Sequence, residues 1–335
     1  MKLKLIKIGQ CFLLCLAFFS CDNNNQDDNQ TPNTPKPNLL SISSNSVGNA
    51  CNIWNLQSGT LVTSIAFIPV FSNLRTADGI ISPAGLLAQT TMTYQSSAYD
   101  NVNKKYAVAL GETIVTYDFS PIIIPTPITQ VIATPGSGSN NFILAMEYVG
   151  GQLYIVHNNE LKKLISGIPT SFSTPVLLPT IGVTSNTMSN MTKNGTNIYF
   201  ILKGRLFTFD TVSNSITSAV VISGWSADID YNGVEYFSGR IFATKRHSAT
   251  TYATTDEFVT INLSGSESVM TAFPSYVRDW SRISSAVDQA TGIYYLSSSN
   301  GFAVNTNTLT EINLGSLAAT SNLINGYQFG LQIKD

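Results

Sequence analysis

Two turn-linked marks recur in phase along most of this 335-residue chain, and they restrict its fold more than any other property. The first is a strand that opens on an aromatic side chain: Tyr106-Ala107-Val108, Tyr154-Ile155-Val156, Tyr199-Phe200-Ile201, Phe242-Ala243-Thr244 and Tyr294-Tyr295-Leu296. Four of the five follow a glycine-bearing turn (Gly150-Gly151, Gly195, Gly239 and Gly292), and the successive spacings are 48, 45, 43 and 52 residues. The second mark is a strand that runs out in an Asx or Ser residue: Tyr117-Asp118, Ile165-Ser166, Phe209-Asp210, Ile261-Asn262 and Val304-Asn305. Such side chains bond the backbone two residues on, which suits a hairpin corner. It trails the first mark by 12, 12, 11, 20 and 11 residues. Trp54-Asn55, before Leu56-Gln57-Ser58-Gly59, is a sixth copy, and Leu40-Ser41-Ile42-Ser43 lies where its preceding strand belongs.

Thr, Ser, Asn, Tyr, Ile and Val dominate the composition, and no helical period is sustained after Pro37; Gly85 to Gln89 is the best short helical stretch. Short strands between turns leave a sandwich, a barrel or a propeller, and internal period decides among them. Six copies of 43 to 63 residues, each with room for about four strands, resemble β-propeller blades. The Trp-Asp signature of WD40 repeats and the double glycine of kelch are absent. The resemblance implies an all-β fold over residues 39–335: a single β-propeller of six four-stranded blades, with seven as the alternative. The first copy has no room for a first strand. Tyr327 to Ile333 is expected to supply it, closing the ring and leaving no open edge. Strict alternation there would put Tyr327, Phe329, Leu331 and Ile333 on one face.

Ahead of the repeats, Lys2, Lys4 and Lys7 precede an apolar stretch from Ile8 to Phe19 that is too short for a bilayer span but suits a secretory signal. Ser20-Cys21, followed by Asp22-Asn23-Asn24-Asn25-Gln26-Asp27-Asp28, resembles the lipobox of bacterial lipoproteins. Phe18 and Phe19 depart from the usual pattern in the manner of Bacteroidota lipoproteins, whose surface-export signal the polar tract also resembles. The resemblance implies a signal peptide over 1–20, a lipidated Cys21, a polar and proline-rich tether over 21–38, and an outer-membrane or cell-surface address. An ordinary signal peptide cut near Ser20 is the alternative. With Cys11 and Cys15 removed and Cys21 acylated, Cys51 stands alone and is expected in the core as a small hydrophobe.

Charged residues make up 11% of the chain and the net charge is −2, so the basic footprint of a nucleic-acid binder is missing. There are two histidines, with no His-x-Glu, Cys-x-x-Cys or Gly-x-Ser-x-Gly. Asp228-Ile229-Asp230 is a lone Asp-x-Asp, a weak calcium signal. No catalytic residue, metal or cofactor is assigned.

In a propeller, the blade-to-blade loops and the turns between second and third strands share one face, here the junction face. Two stretches exceed the period there, Pro69 to Ala88 and Lys245 to Asp256, and enlarged loops on one face of a repeat commonly bind. The candidate ligand-binding residues are Trp225, Asp228, Lys245, Arg246, His247, Arg278, Asp279, Trp280 and Arg282. Tryptophan, arginine and carboxylate together suit a sugar or a peptide, although Trp225 and Trp280 hold similar places in two repeats and would equally pack between blades. The first functional reading is a membrane-anchored binding module for a glycan or protein partner. A scaffold subunit of an envelope complex comes second, and a propeller hydrolase or lyase last.

Overall fold

A computed structural model describes residues 36–45, 48–67, 74–75, 81–82, 95–110, 113–120, 128–131, 143–179, 188–247, 257–272, 284–298, 307–324 and 327–334. They form an all-β ring of six antiparallel blades, each numbered here from its innermost strand outward. Blade 1 joins Tyr327–Lys334, Asn38–Asn45, Gly48–Asn55 and Thr60–Phe67. Blade 2 holds Gln95–Asp100, Lys105–Leu110, Thr113–Asp118 and Ile128–Val131. Blade 3 holds Ile143–Val149, Gln152–His157 and Glu160–Ile165, with an outer strand in two pieces, Ile168–Thr170 and Val176–Leu177. Blade 4 comprises Thr192–Asn194, Asn197–Leu202, Arg205–Asp210 and Ser215–Val221. Blade 5 comprises Ile229–Phe237, Arg240–His247, Glu257–Asn262 and Glu267–Ala272, and blade 6 Ser284–Asp288, Ile293–Ser298, Asn307–Asn313 and Ala319–Ile324. A two-residue ladder, Leu74–Arg75 with Ile81–Ser82, lies in the junction after blade 1; Gly85 to Gln89 falls outside the described residues. Six blades, not seven, close the ring, and the C-terminal strand is the inner strand of blade 1.

The two sequence marks map onto fixed places in the blade. The aromatic mark falls on the second strand of blades 2 to 6, and the Asx mark ends the third. Asn55, Asp118, Asp210 and Asn262 each accept the N–H of Ser58, Ser120, Val212 and Ser264 at 2.9 to 3.0 Å, which turns the corner. Blade 6 departs from the expectation. Its corner residue is Asn313, which accepts Gly315 N at 2.9 Å, whereas Asn305 precedes the third strand and lies outside the described residues. Its second-to-third connection is therefore enlarged, like that of blade 5.

The aromatic mark is in phase by strand and out of phase by residue. Tyr106 and Tyr294 stand one residue past the pair that meets the Asx corner, Lys105↔Asp118 and Ile293↔Asn313. Tyr199 and Phe242 stand two past it. Neighbouring residues of a strand face opposite sides, so Tyr106 and Tyr294 pack toward the preceding blade, and Tyr199 and Phe242 toward the following one.

Six apolar clusters result, one in each seam between blades. Leu40, Ile42 and Cys51 of blade 1 meet Tyr99, Tyr106 and Val108 of blade 2. At the other end, Leu39, Leu56 and Leu331 of blade 1 meet Ala286, Tyr295 and Leu309 of blade 6. Cys51 is fully buried, and burial pushes its thiol up, so it behaves as a hydrophobe.

One expectation about the closing strand fails. A bulge between the pairs Phe329↔Ile42 and Gln332↔Leu40 inserts a residue at Gly330, which has a φ of 65°. Leu331 and Ile333 pack in the seam with blade 6, while Phe329 stands opposite Ile42, out of phase with them. The bulge frees backbone groups that neighbouring blades then satisfy: Tyr106 Oη donates to Gly330 O, and Leu331 N donates to Ser284 Oγ at 2.9 Å. Blade 5 repeats the device, with Tyr294 Oη donating to Gly233 O at 2.6 Å and Val234 N to Asn190 Oδ1 at 2.7 Å.

Candidate functional site at the channel mouth

In blades 2 to 6 the inner strand leads into its turn through one closing pair, Asp100/Lys105, Val149/Gln152, Asn194/Asn197, Phe237/Arg240 and Asp288/Ile293. In blade 1, where the two ends of the ring meet, the equivalent pair is Lys334/Asn38. One residue back along the inner strands stand Tyr99, Tyr148, Lys193, Tyr236, Val287 and Ile333. A further residue back stand Ala98, Glu147, Thr192, Glu235, Ala286 and Gln332. All but Ala98 of these residues line a cavity of about 730 Å³ at the mouth of the central channel, on the face opposite the junction face. A void of about 30 Å³ lined by Ser96, Ser97, Asn190, Ser284 and Gln332 lies deeper along the same axis.

The floor of the cavity is polar although it is buried. Lys193 Nζ donates to Glu147 Oε1 at 2.9 Å, Tyr148 O at 2.6 Å and Tyr99 O at 3.3 Å, tying blades 2, 3 and 4 together. Glu147 Oε1 also accepts Tyr148 N at 2.9 Å. Burial raises the Glu147 carboxyl above its usual range, and the Lys193 ammonium pulls it back. Glu235 is 8% exposed and accepts Ser285 Oγ at 2.7 Å. Burial pushes its carboxyl up to about 8, and the Glu147 charge adds to the rise against the Ser285 bond. At neutral pH Glu235 therefore keeps its proton. Asp100 and Asp288 are engaged in their turns, accepting Val102 N at 3.0 Å and Ala290 N at 2.9 Å.

The residues singled out from sequence have different surroundings. Trp225 is half-buried in the junction from blade 4 to blade 5, donating Nε1–H to Ile229 O at 3.0 Å, and its indole lies across Gly204, where any Cβ would collide with the ring. Asp228 accepts from Ser226 Oγ beside it. Lys245 is buried in the seam between blades 4 and 5, paired with Glu267 at 2.6 Å and Glu257 at 3.6 Å, and Tyr231 Oη donates to the same Glu267. Arg246 is opposite Asp230, whose carboxyl burial raises to about 6 against the Arg246 charge. His247 ends the second strand of blade 5 opposite Ile229. Arg278, Asp279, Trp280 and Arg282 lie outside the described residues. Trp225, Asp228 and Arg246 thus share the junction face, while Lys245 is committed to the seam.

Sequence reasoning passed over Glu147, Lys193 and Glu235. A signal was present: Glu-Tyr-x-x-Gly occurs as Glu147-Tyr148-Val149-Gly150-Gly151 and again, two blades later, as Glu235-Tyr236-Phe237-Ser238-Gly239.

No family model matches the chain, and no curated protein does. Among solved structures, Kuenenia stuttgartiensis hydrazine synthase superposes with a TM-score of 0.49 at 11% identity, over 87% of this chain and 82% of that one. A protein of unknown function from Bacteroides caccae gives 0.49 at 12% identity, over 90% of this chain and 100% of that one. The extracellular domain of a one-component system from B. thetaiotaomicron gives 0.43 at 13% identity, over 70% of this chain and 28% of that one. These are likenesses of backbone path alone.

Proposed function

We propose that this protein is an envelope binding module, anchored through Cys21, that holds a saccharide-like ligand in the cavity at its channel mouth. One observation carries the reading. A cavity of about 730 Å³ is built from all but one of twelve register-equivalent positions on six blades, with buried polar groups converging at its floor. That volume falls within the roughly 300–1,000 Å³ usual for small-molecule sites. Tyr236 supplies aromatic surface, and Asn101, Gln289 and Gln332 supply hydrogen-bonding groups, a mixture that suits a sugar ring. The cationic n-region, the apolar run and Ser20-Cys21 support the anchor.

A glycan array followed by calorimetry tests the site. Asn101 is exposed at the cavity rim, so Asn101→Trp narrows the mouth without touching a seam. It should weaken any glycan found on the array at least about tenfold, or about 1.4 kcal/mol, at unchanged melting temperature. Undiminished affinity would move the ligand elsewhere, the face bearing Trp225 and Arg246 being the next place to probe. For the anchor, Cys21→Ser should release the protein from membranes and abolish acyl labelling; retained labelling would refute it.

A further inference from the structure

We infer that the cavity takes a ligand bearing a primary ammonium group, seated against Glu235 where blades 5 and 6 meet. The inference rests on the reading of the cavity as the ligand site and adds the ligand's chemical class. It comes from comparing two copies of one motif within the ring.

In blade 3, the pair Glu147-Tyr148 forms an ammonium cradle from one carboxylate oxygen and strand-end carbonyls. The following blade fills it with Lys193, whose three donors have three acceptors within 3.3 Å. Glu235-Tyr236 occupies the same two register positions in blade 5. On the next blade, however, the position of Lys193 is taken by Val287, one residue before the closing pair in both cases. Blade 6 instead fills the carbonyl half of the second cradle with Gln289, whose Nε2 donates to Tyr236 O at 2.6 Å. That cradle therefore has no cation from the blade that faces it, and the carboxyl group alone is left for a ligand. Ser285 Oγ at 2.7 Å and Thr192 Oγ1 at 3.4 Å hold the Glu235 carboxyl in place.

Charge in the cavity points the same way. Among the described residues, the carboxylates of Asp100, Glu147 and Asp288 and the carboxyl of Glu235 line it against the single cation Lys193. Lys193 has no proton left for a ligand carboxylate or phosphate unless it breaks a bond to the protein. An anion would thus enter a surface of acceptors, whereas an ammonium would find a carboxyl group already positioned. Glu147 and Lys193 face Glu235 from blades 3 and 4, and Tyr294 from blade 6, its hydroxyl kept neutral by burial. On binding, Glu235 releases its proton to solvent and the resulting carboxylate pairs with the ligand's ammonium, as Glu147 pairs with Lys193. The raised Glu235 carboxyl is consistent with this exchange.

Calorimetry with the glucosamine disaccharide and its N,N′-diacetylated form separates charge from shape. Run at about pH 5.5, where both the sugar amine and the Glu235 carboxyl carry their protons before binding, in two buffers of different ionisation enthalpy, it also counts protons. The amine form should bind at least about tenfold tighter and release close to one proton. Glu235→Gln copies the shape of the neutral carboxyl and so should keep the fold. It should lose that preference and the proton release together. Equal affinity for the acetylated sugar, or proton release unchanged in Glu235→Gln, would overturn the ammonium assignment. If Asn101→Trp abolished binding of both sugars in that event, the cavity would still stand as the site. No heat from the amine at millimolar concentration would overturn the assignment as well.

Discussion

Replacing Gly330 by alanine tests how the ring is locked. Two separable costs are built into this position. The first is local, because an L side chain at φ 65° costs about 1–2 kcal/mol. The second crosses the seam. A Cβ on Gly330 would lie 2.6 Å from Tyr106 Oη and 3.4 Å from Ser97 Cβ. Tyr106 is fully buried, so its ring cannot swing aside, and the hydroxyl must give up Gly330 O. An unsatisfied buried hydroxyl costs about 1–3 kcal/mol. Gly330→Ala should therefore lower stability by about 2–5 kcal/mol in urea unfolding, the sum of those ranges. Gly239→Ala isolates the local cost: its φ is 83° and nothing lies within 4 Å of its would-be Cβ. It should cost only about 1–2 kcal/mol. Tyr106→Phe removes the obstructing oxygen, so Gly330→Ala made in that background should cost no more than Gly239→Ala, a coupling a double-mutant cycle measures directly. Equal losses at Gly330 and Gly239 in the native background, or full additivity with Tyr106→Phe, would refute the seam argument.

Other outcomes follow from the same geometry. Glu235 titrates near 8 in the fold and near 4.5 unfolded, so the unfolded chain loses its proton first as pH rises. Stability should then fall between about pH 4.5 and 8 and level off above, by an amount on the order of 3–5 kcal/mol; Glu235→Gln should lack that slope, and parallel pH curves for the two proteins would sink the assignment. Deleting Tyr327 to Asp335 removes fully buried Leu331, worth about 2.7–5 kcal/mol alone, and the acceptor of Tyr106. The product should be insoluble or melt far lower; a soluble ring with unchanged melting would deny closure. Lys193→Met leaves the buried Glu147 carboxylate without its cation, and since the lysine side chain is 36% exposed the loss should sit near or below the lower end of the roughly 3–5 kcal/mol range. Chemical denaturation would measure it, and no loss would mean that the pair bears no weight.

Much of this architecture could be read from the chain because its signals are local. An Asx corner is made within three residues, so Asn55, Asp118, Asp210 and Asn262 announce themselves. Asn313 was harder to pick because Asn305 and Asn307 offer the same chemistry a few residues earlier. Closure by the last strand followed from a missing first strand. The bulge at Gly330 had only a glycine within an alternating run to mark it, the usual sign of such an irregularity. The cavity was far less legible. Its floor draws single residues from strands more than forty positions apart, and Glu147, Lys193 and Glu235 sit beside turn glycines, where charged residues are ordinarily solvated. The junction-face residues were conspicuous by type, yet Lys245 is spent on Glu267 and Trp225 covers Gly204.

The pairing of Asn38 with Lys334 also governs when this protein can finish folding. Two strands separated by nearly the whole sequence must meet, and contacts of such long range are slow to form. Until the last residues are in place, the strand Asn38–Asn45 has an open edge on one side and Ser284 waits for its amide partner. Such an edge is a template for mispairing with another chain. A nascent copy is accordingly exposed to association with its neighbours until that pairing forms, and a holdase that occupies strand edges would raise the yield of closed rings more than one that covers apolar patches.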